Sequence, residues 1–186
     1  MSQNDLLLVI DMQNVYRPGE RWGCKNTEHI AVRIMDAIRS GAFHQVVFTR
    51  HIASSQPVGV WRNYNAIHAD IIADSYANDI MIQFNDAIKT YPLFTKSVYS
   101  AMSIPEVQAY VSEADRVVVA GVVAECCVLS TVFSIIDAGK YVIWLNDCVA
   151  GTDEEREEAV RLVLKDLIKP HLCFMNLDEY LGRDRP

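Results

Sequence analysis

Hydrophobic positions fall along this chain in two alternating patterns. Four short runs rich in β-branched residues, LLLVID (6–11), QVVFTR (45–50), RVVVAG (116–121) and YVIWLN (141–146), are apolar at consecutive positions. That is the pattern of strands buried on both faces, as in a parallel sheet covered by helices. YPLFTK (91–96) and PHLCFM (170–175) carry weaker versions of it. Between the runs, apolar residues recur at helical spacing. Ile30, Ile34, Ala37 and Ile38 define one helical face, opened by Asn26 or Thr27 as a cap and closed by Gly41. Ser103 with Glu106 predicts a capping box ahead of Val107, Tyr110 and Val111. Thr152 with Glu155 predicts a second, ahead of Ala159, Leu162, Val163 and Leu167, and Pro170 ends that run.

Strand and helix alternating in this way, joined by right-handed crossovers, predict a doubly wound α/β sandwich, and the length fits one domain over 1–186. Residues 52–90 break the alternation. They carry Ser54, Ser55, Pro57 and Gly59, then Trp61, Tyr64 and Asn65, with no clean period. A connection that long in a compact domain is usually functional.

Composition narrows the function. Seventeen basic against 24 acidic residues give a net charge of −7, which argues against a nucleic-acid partner, since phosphate binding needs a basic face. The longest charged run, residues 153–158, sits at an expected helix start, where the macrodipole favours acidic side chains. The opening MSQNDLLLVIDMQ lacks a basic segment and a long apolar core, and no stretch reaches the length of a membrane span. Five cysteines without C-x-x-C spacing make neither a disulfide framework nor a zinc site, so a cytoplasmic protein is expected.

In an open parallel sheet, ligands bind beyond the carboxyl ends of the strands. The first strand delivers Asp11 there, YPLFTK delivers Lys96, and RVVVAG leads into Cys126 and Cys127. A carboxylate, an ammonium and a thiol thus converge on one rim. Residues 124–138 read as a helix closed by Gly139, with both cysteines in its first turn. About 100° separates them around the axis, so only one can face the crevice. A thiol at a helix N-terminus gains from the dipole and the free N–H groups, which also suit an oxyanion. Periodicity alone does not choose between Cys126 and Cys127.

These residues resemble the isochorismatase-like cysteine hydrolases, whose pattern is D-x-Q after an apolar strand, a lysine in K-x-x-Y-S, and G-V-x-T-x-x-C-V before a helix. Here the three parts are Asp11-Met12-Gln13, Lys96 to Ser100, and Gly121 to Val128, in order along nearly the whole chain. The resemblance implies a Rossmann-like three-layer sandwich with a six-stranded parallel sheet. It also implies hydrolysis of a C–N bond in a small molecule, an amide, ureide or carbamoyl compound. By position, Cys127 is the nucleophile, Asp11 its proton acceptor and Lys96 the group stabilising the thiolate. A cis peptide is implied at Val122-Val123, turning the Val123 N–H toward an oxyanion beside that of Cys127. A homodimer or homotetramer is implied as well. For substrate binding, Gln13 follows Asp11 at the crevice, and Trp22, Trp61, Tyr64 and Tyr99 are the other candidates.

Two departures sharpen the expectation. Ala124 stands where the family has threonine, so no hydroxyl acts there. Nicotinamidase-like members carry a metal-binding D-x-H after the second strand, whereas this chain has Thr49-Arg50-His51-Ile52-Ala53, with His68 alone downstream. Two separated histidines without the aspartate are poor ligands, so neither a catalytic metal nor any cofactor is expected. The departures argue against nicotinamide, and the retained cysteine argues against isochorismate itself. Two rival readings are a redox protein using Cys126 and Cys127 as a vicinal dithiol, and a non-catalytic member of the fold.

Overall fold

The computed structural model describes residues 4–182. Strands β1 (Asp5–Ile10), β2 (Gln45–His51), β3 (Leu93–Lys96), β4 (Arg116–Val122), β5 (Tyr141–Ala150) and β6 (Leu172–Met175) form one sheet in the order β3-β2-β1-β4-β5-β6. Every neighbouring pair is parallel. The expected six-stranded α/β sandwich is therefore what the chain forms.

All six residues of β1 are buried, because the strand lies at the centre with a helical layer on each face. Leu7 and Val9 join Phe48, Val118 and Ile143 on one face, packed against Ile30 and Ile34 of α1 (Thr27–Arg39). Leu6, Leu8 and Ile10 join Val117 and Val119 on the other. There they meet Val107 of α6 (Pro105–Glu113), Val132 and Ile135 of α7 (Leu129–Asp137), and Leu164 of α8 (Glu154–Leu164). Each such aliphatic side chain contributes about 1.5–3 kcal/mol on burial, which explains why unbroken apolar runs become the central strands.

The two expected capping boxes do not form. Pro105, fit for a first helical turn, opens α6 after Ile104, so the Ser103 box is bypassed, and Ser100 instead caps a short 3-10 turn at Ala101–Ser103. Asp153 caps α8 by accepting from the Arg156 N–H, and Thr152 instead donates its hydroxyl to Glu125 Oε1. A box does form at Asn176 and Glu179, ahead of the short α9 (Leu177–Tyr180).

The irregular 52–90 segment folds as short pieces: α2 (Trp61–Ile67), α3 (Ala69–Ala73), α4 (Ser75–Asn78), a 3-10 turn, and α5 (Ala87–Thr90). Backbone bonds pin it to the segment after β1, from Met81 N to Met12 O at 2.9 Å and from Asn14 N to Asp79 O at 2.9 Å. Among the described residues no helix is long and apolar enough to cross a membrane.

Chain direction reverses across the sheet between β1 and β4. From β1 the chain runs outward through β2 and β3, then returns to place β4 on the other side of β1. Such a switch point opens a crevice at the carboxyl ends of the two strands. Gly121 makes the approach possible. Its φ is +112°, and a Cβ there would meet Ile10 O at 2.0 Å, a clash that only glycine avoids.

Candidate active site at the sheet switch point

Three side chains from three strand ends meet in that crevice. Asp11 turns out of β1 with φ +54°, an unusual backbone for aspartate that costs on the order of 1–3 kcal/mol and marks sites the fold holds in place. Its N–H donates to Thr49 O at 3.0 Å, and the Thr49 hydroxyl donates to Asp11 Oδ1 at 2.8 Å. The other carboxylate oxygen, Oδ2, lies 2.6 Å from Lys96 Nζ, and neither side chain has exposed surface.

Lys96 ends β3, where it is aligned with His51 on β2. Its ammonium also donates to Cys127 Sγ at 3.3 Å and to Val98 O at 3.2 Å. With the Asp11 ion pair, these contacts hold the ammonium from three sides. Burial works against the charged lysine, but Asp11 and Cys127 outweigh it and its pKa is raised.

Cys127 is where the structure refines the helical reading. Residues Ala124–Val128 form a π-helical turn rather than the first turn of an α-helix, and α7 begins only at Leu129. The Val123 carbonyl accepts from the N–H groups of both Cys126 and Val128, at 3.0 and 3.2 Å. The Val122–Val123 peptide bond is cis. Cys127 is buried and Cys126 exposed, which separates the two thiols. Cys126 is therefore no part of the core. All five cysteines are free.

The helix-terminus argument predicts a stabilised thiolate, and the site does the opposite. Burial pushes the Cys127 thiol well above its ordinary pKa, the Asp11 carboxylate pushes the same way, and Lys96 opposes them without prevailing. The surroundings of the sulfur thus favour the thiol over the thiolate beside the Asp11–Lys96 ion pair.

Above Cys127 opens a cavity of about 340 Å³. Tyr16, Trp22, Tyr64 and Tyr99 wall it, Val123, Cys126 and Cys127 form its floor, and Glu20, Arg21 and Thr152 stand at the mouth. Of the expected substrate-binding residues, Trp22, Tyr64 and Tyr99 therefore line it. Trp61 lines a smaller neighbouring cavity with Ser97 and Val98, and touches the main one through its rings' contacts with Tyr64 at 5.2 Å and Tyr99 at 5.1 Å.

Gln13 does not line the cavity. Its amide donates to His51 O and Asn78 O at 3.0 and 2.8 Å and accepts from His51 N at 2.7 Å, while 1% of the residue is exposed. With both amide protons and the carbonyl committed, it staples β1 to β2 and to α4. Tyr16 escaped the sequence reading because it lies in what reads as a loop. A 3-10 turn at Asn14–Tyr16 aims it into the cavity. His51 and His68 also differ. His51 is buried, and desolvation together with Lys96 lowers its pKa to about 4, against smaller opposing effects of Asp11 and the Ser97 carbonyl. His68 packs its ring against Tyr64 at 4.6 Å and Trp22 at 5.3 Å.

Comparison with known proteins identifies the family and the fold. The family model described as "Isochorismatase domain" matches residues 5–168. No curated protein matches the sequence significantly. Among solved structures, a cysteine hydrolase from Pseudomonas syringae pv. phaseolicola is similar with a TM-score of 0.79 and 20% identity, over 97% of this chain and 92% of that one. An isochorismatase-like hydrolase from Alkaliphilus metalliredigens gives 0.75 and 20%, over 98% and 99%. A nicotinamidase from Bacillus subtilis gives 0.72 and 17%, over 91% and 99%. At these identities the likeness is one of fold.

Proposed function

Since the chain belongs to the isochorismatase family of hydrolases, we propose that it cleaves the C–N bond of a small amide, ureide or carbamoyl compound, with Cys127 as nucleophile. The observation that supports this most is the single cluster of Asp11, Lys96 and Cys127, with Lys96 2.6 Å from Asp11 and 3.3 Å from the sulfur, and with Cys127 on the floor of a cavity of about 340 Å³. That volume lies at the small end of the usual range of about 300–1,000 Å³ for ligand sites.

Cys127 Sγ attacks the substrate carbonyl carbon as its proton passes to Asp11. The negative charge that develops on the carbonyl oxygen is received by the N–H groups of Val123 and Cys127. The C–N bond then breaks, Asp11 returns the proton to the departing nitrogen, and a thioester remains on Cys127. Water enters, gives a proton to Asp11 and its oxygen to the acyl carbon. The S–C bond breaks, the acid leaves, and the proton returns to sulfur. Lys96 stays charged throughout and holds Asp11 and the sulfur in register. No metal or cofactor takes part in these steps.

The same reading makes the protein cytoplasmic and a homodimer or homotetramer. The five free thiols suit a reducing compartment. Val58, Val60, Ile67 and Ile82, all exposed in the 52–90 segment, offer apolar surface for self-association.

The test is hydrolysis of a panel of small amides, ureides and carbamoyl compounds. Cys127→Ala and Cys127→Ser are expected to abolish release of the amine on every responsive substrate. Unchanged turnover in either variant would remove Cys127 from the mechanism.

A further inference from the structure

We infer that the cavity over Cys127 selects a small amide carrying a compact positive charge, of the trimethylammonium kind, over neutral and anionic amides of equal size. The inference rests on the hydrolase reading for the fate of the amide. Its selectivity follows from the walls and the charges around them.

The rings form one continuous cluster. Tyr16 and Trp22 have centroids 6.0 Å apart with planes at 30°, and Trp22 and Tyr64 follow at 6.2 Å and 42°. Trp61 then lies 5.2 Å from Tyr64 at 70° and 5.1 Å from Tyr99 at 60°. Tyr16, Trp22, Tyr64 and Tyr99 border the concave cavity, Trp61 joins Tyr64 to Tyr99 from the smaller one beside it, and the tilts between neighbouring rings leave no parallel pair. A flat ring stacks best against parallel faces, whereas a rounded group conforms to a curved surface. Several electron-rich rings around a rounded group are the arrangement that recognises a quaternary ammonium.

Charge points the same way. The Arg21 guanidinium at the mouth is already bound to Asp70, at 2.5 Å. The Lys96 ammonium does not reach the cavity: its side chain has no exposed surface and faces Asp11, Cys127 and Val98. Lys96 is thus closed to a substrate carboxylate, and the Arg21 charge is shared with Asp70. Glu20, by contrast, lines the mouth and forms no ion pair among the described residues. An anionic ligand would meet one guanidinium against the two carboxylates Glu20 and Asp70, while a cation would meet both Glu20 and the rings.

Binding to the Cys127→Ala protein separates selectivity from catalysis. The probes are trimethylammonioacetamide, its carbon isostere 3,3-dimethylbutanamide, succinamate and benzamide, followed by calorimetry or tryptophan fluorescence. The cationic amide is expected to bind about 3- to 30-fold more tightly than the isostere, with succinamate weakest. Trp22→Leu should erase the preference while Trp22→Phe retains part of it, and Glu20→Gln should reduce it. Equal or tighter binding of the isostere or of benzamide, or no binding by any of the four, overturns the inference. Turnover by the intact protein reports separately on the hydrolase reading. Selective binding without any hydrolysis would sink that reading alone, and hydrolysis without cation preference would sink this inference alone.

Discussion

Asp11 and Lys96 form an ion pair of 2.6 Å in which neither side chain reaches solvent. Removing one member of such a pair leaves the other charge buried and uncompensated, at a loss of about 3–5 kcal/mol, while replacing both with neutral groups is far less damaging. Asp11→Asn and Lys96→Met are each expected to lower unfolding stability by roughly that amount. The double variant should lose much less than the sum. Urea denaturation of the four proteins in a double-mutant cycle measures this. Strictly additive losses would mean that the pair is not coupled.

Thr49 positions the carboxylate without touching substrate. Its hydroxyl donates to Asp11 Oδ1 at 2.8 Å, and both residues are fully buried. Thr49→Val keeps the shape and removes the donor. It should lower kcat roughly 10- to 100-fold through misalignment of Asp11, leave KM nearly unchanged, and be rescued by Thr49→Ser. A Thr49→Val enzyme with normal kcat would show that Asp11 needs no such support.

The two adjacent thiols should differ in labelling. Cys126 is exposed, whereas Cys127 is buried and its pKa is raised by burial and by Asp11. A bulky maleimide at neutral pH is expected to modify Cys126 first and to leave Cys127 largely intact, as read by peptide mass mapping. Cys126→Ala should retain turnover. Peroxide treatment that joined the two thiols in a disulfide as its main product would favour the redox reading instead.

Acid should weaken the fold through His51. Its ring is buried and its pKa falls from about 6.5 to about 4. Between those values the unfolded chain binds a proton that the folded chain does not, so stability declines as pH falls from about 6.5 toward 4. The loss from this residue approaches about 3 kcal/mol. His51→Gln should flatten that part of the stability–pH curve. An unchanged slope would assign the acid sensitivity to other groups.

Much of this molecule was legible in its sequence because its strands are buried on both faces. LLLVID and RVVVAG could only be central parallel strands, and their ends put Asp11 and the thiol loop at one rim. The caps were not legible, because Ser103 and Thr152 lost to neighbours, Pro105 and Asp153, that suit a helix start better in context. The site was legible in its chemistry but not in its electrostatics. A helix-terminal cysteine predicts a stabilised thiolate, yet burial and the Asp11 carboxylate dominate Cys127, and neither can be weighed before the fold is known. Gln13 shows a related limit. A polar residue two positions after Asp11 reads as a ligand for substrate, and only the positions of His51 and Asn78 reveal that the backbone occupies it. Tyr16 lacks any periodic signal and enters the cavity through a 3-10 turn that the sequence pattern does not mark.

The most direct test of the account is intact-mass spectrometry of the protein quenched in acid during turnover of a responsive amide. The account predicts a mass increase equal to the acyl group, mapped to Cys127 by peptide analysis, reversed by hydroxylamine and absent from Cys127→Ala. Turnover with no adduct on Cys127, or with the adduct on Cys126, would contradict it.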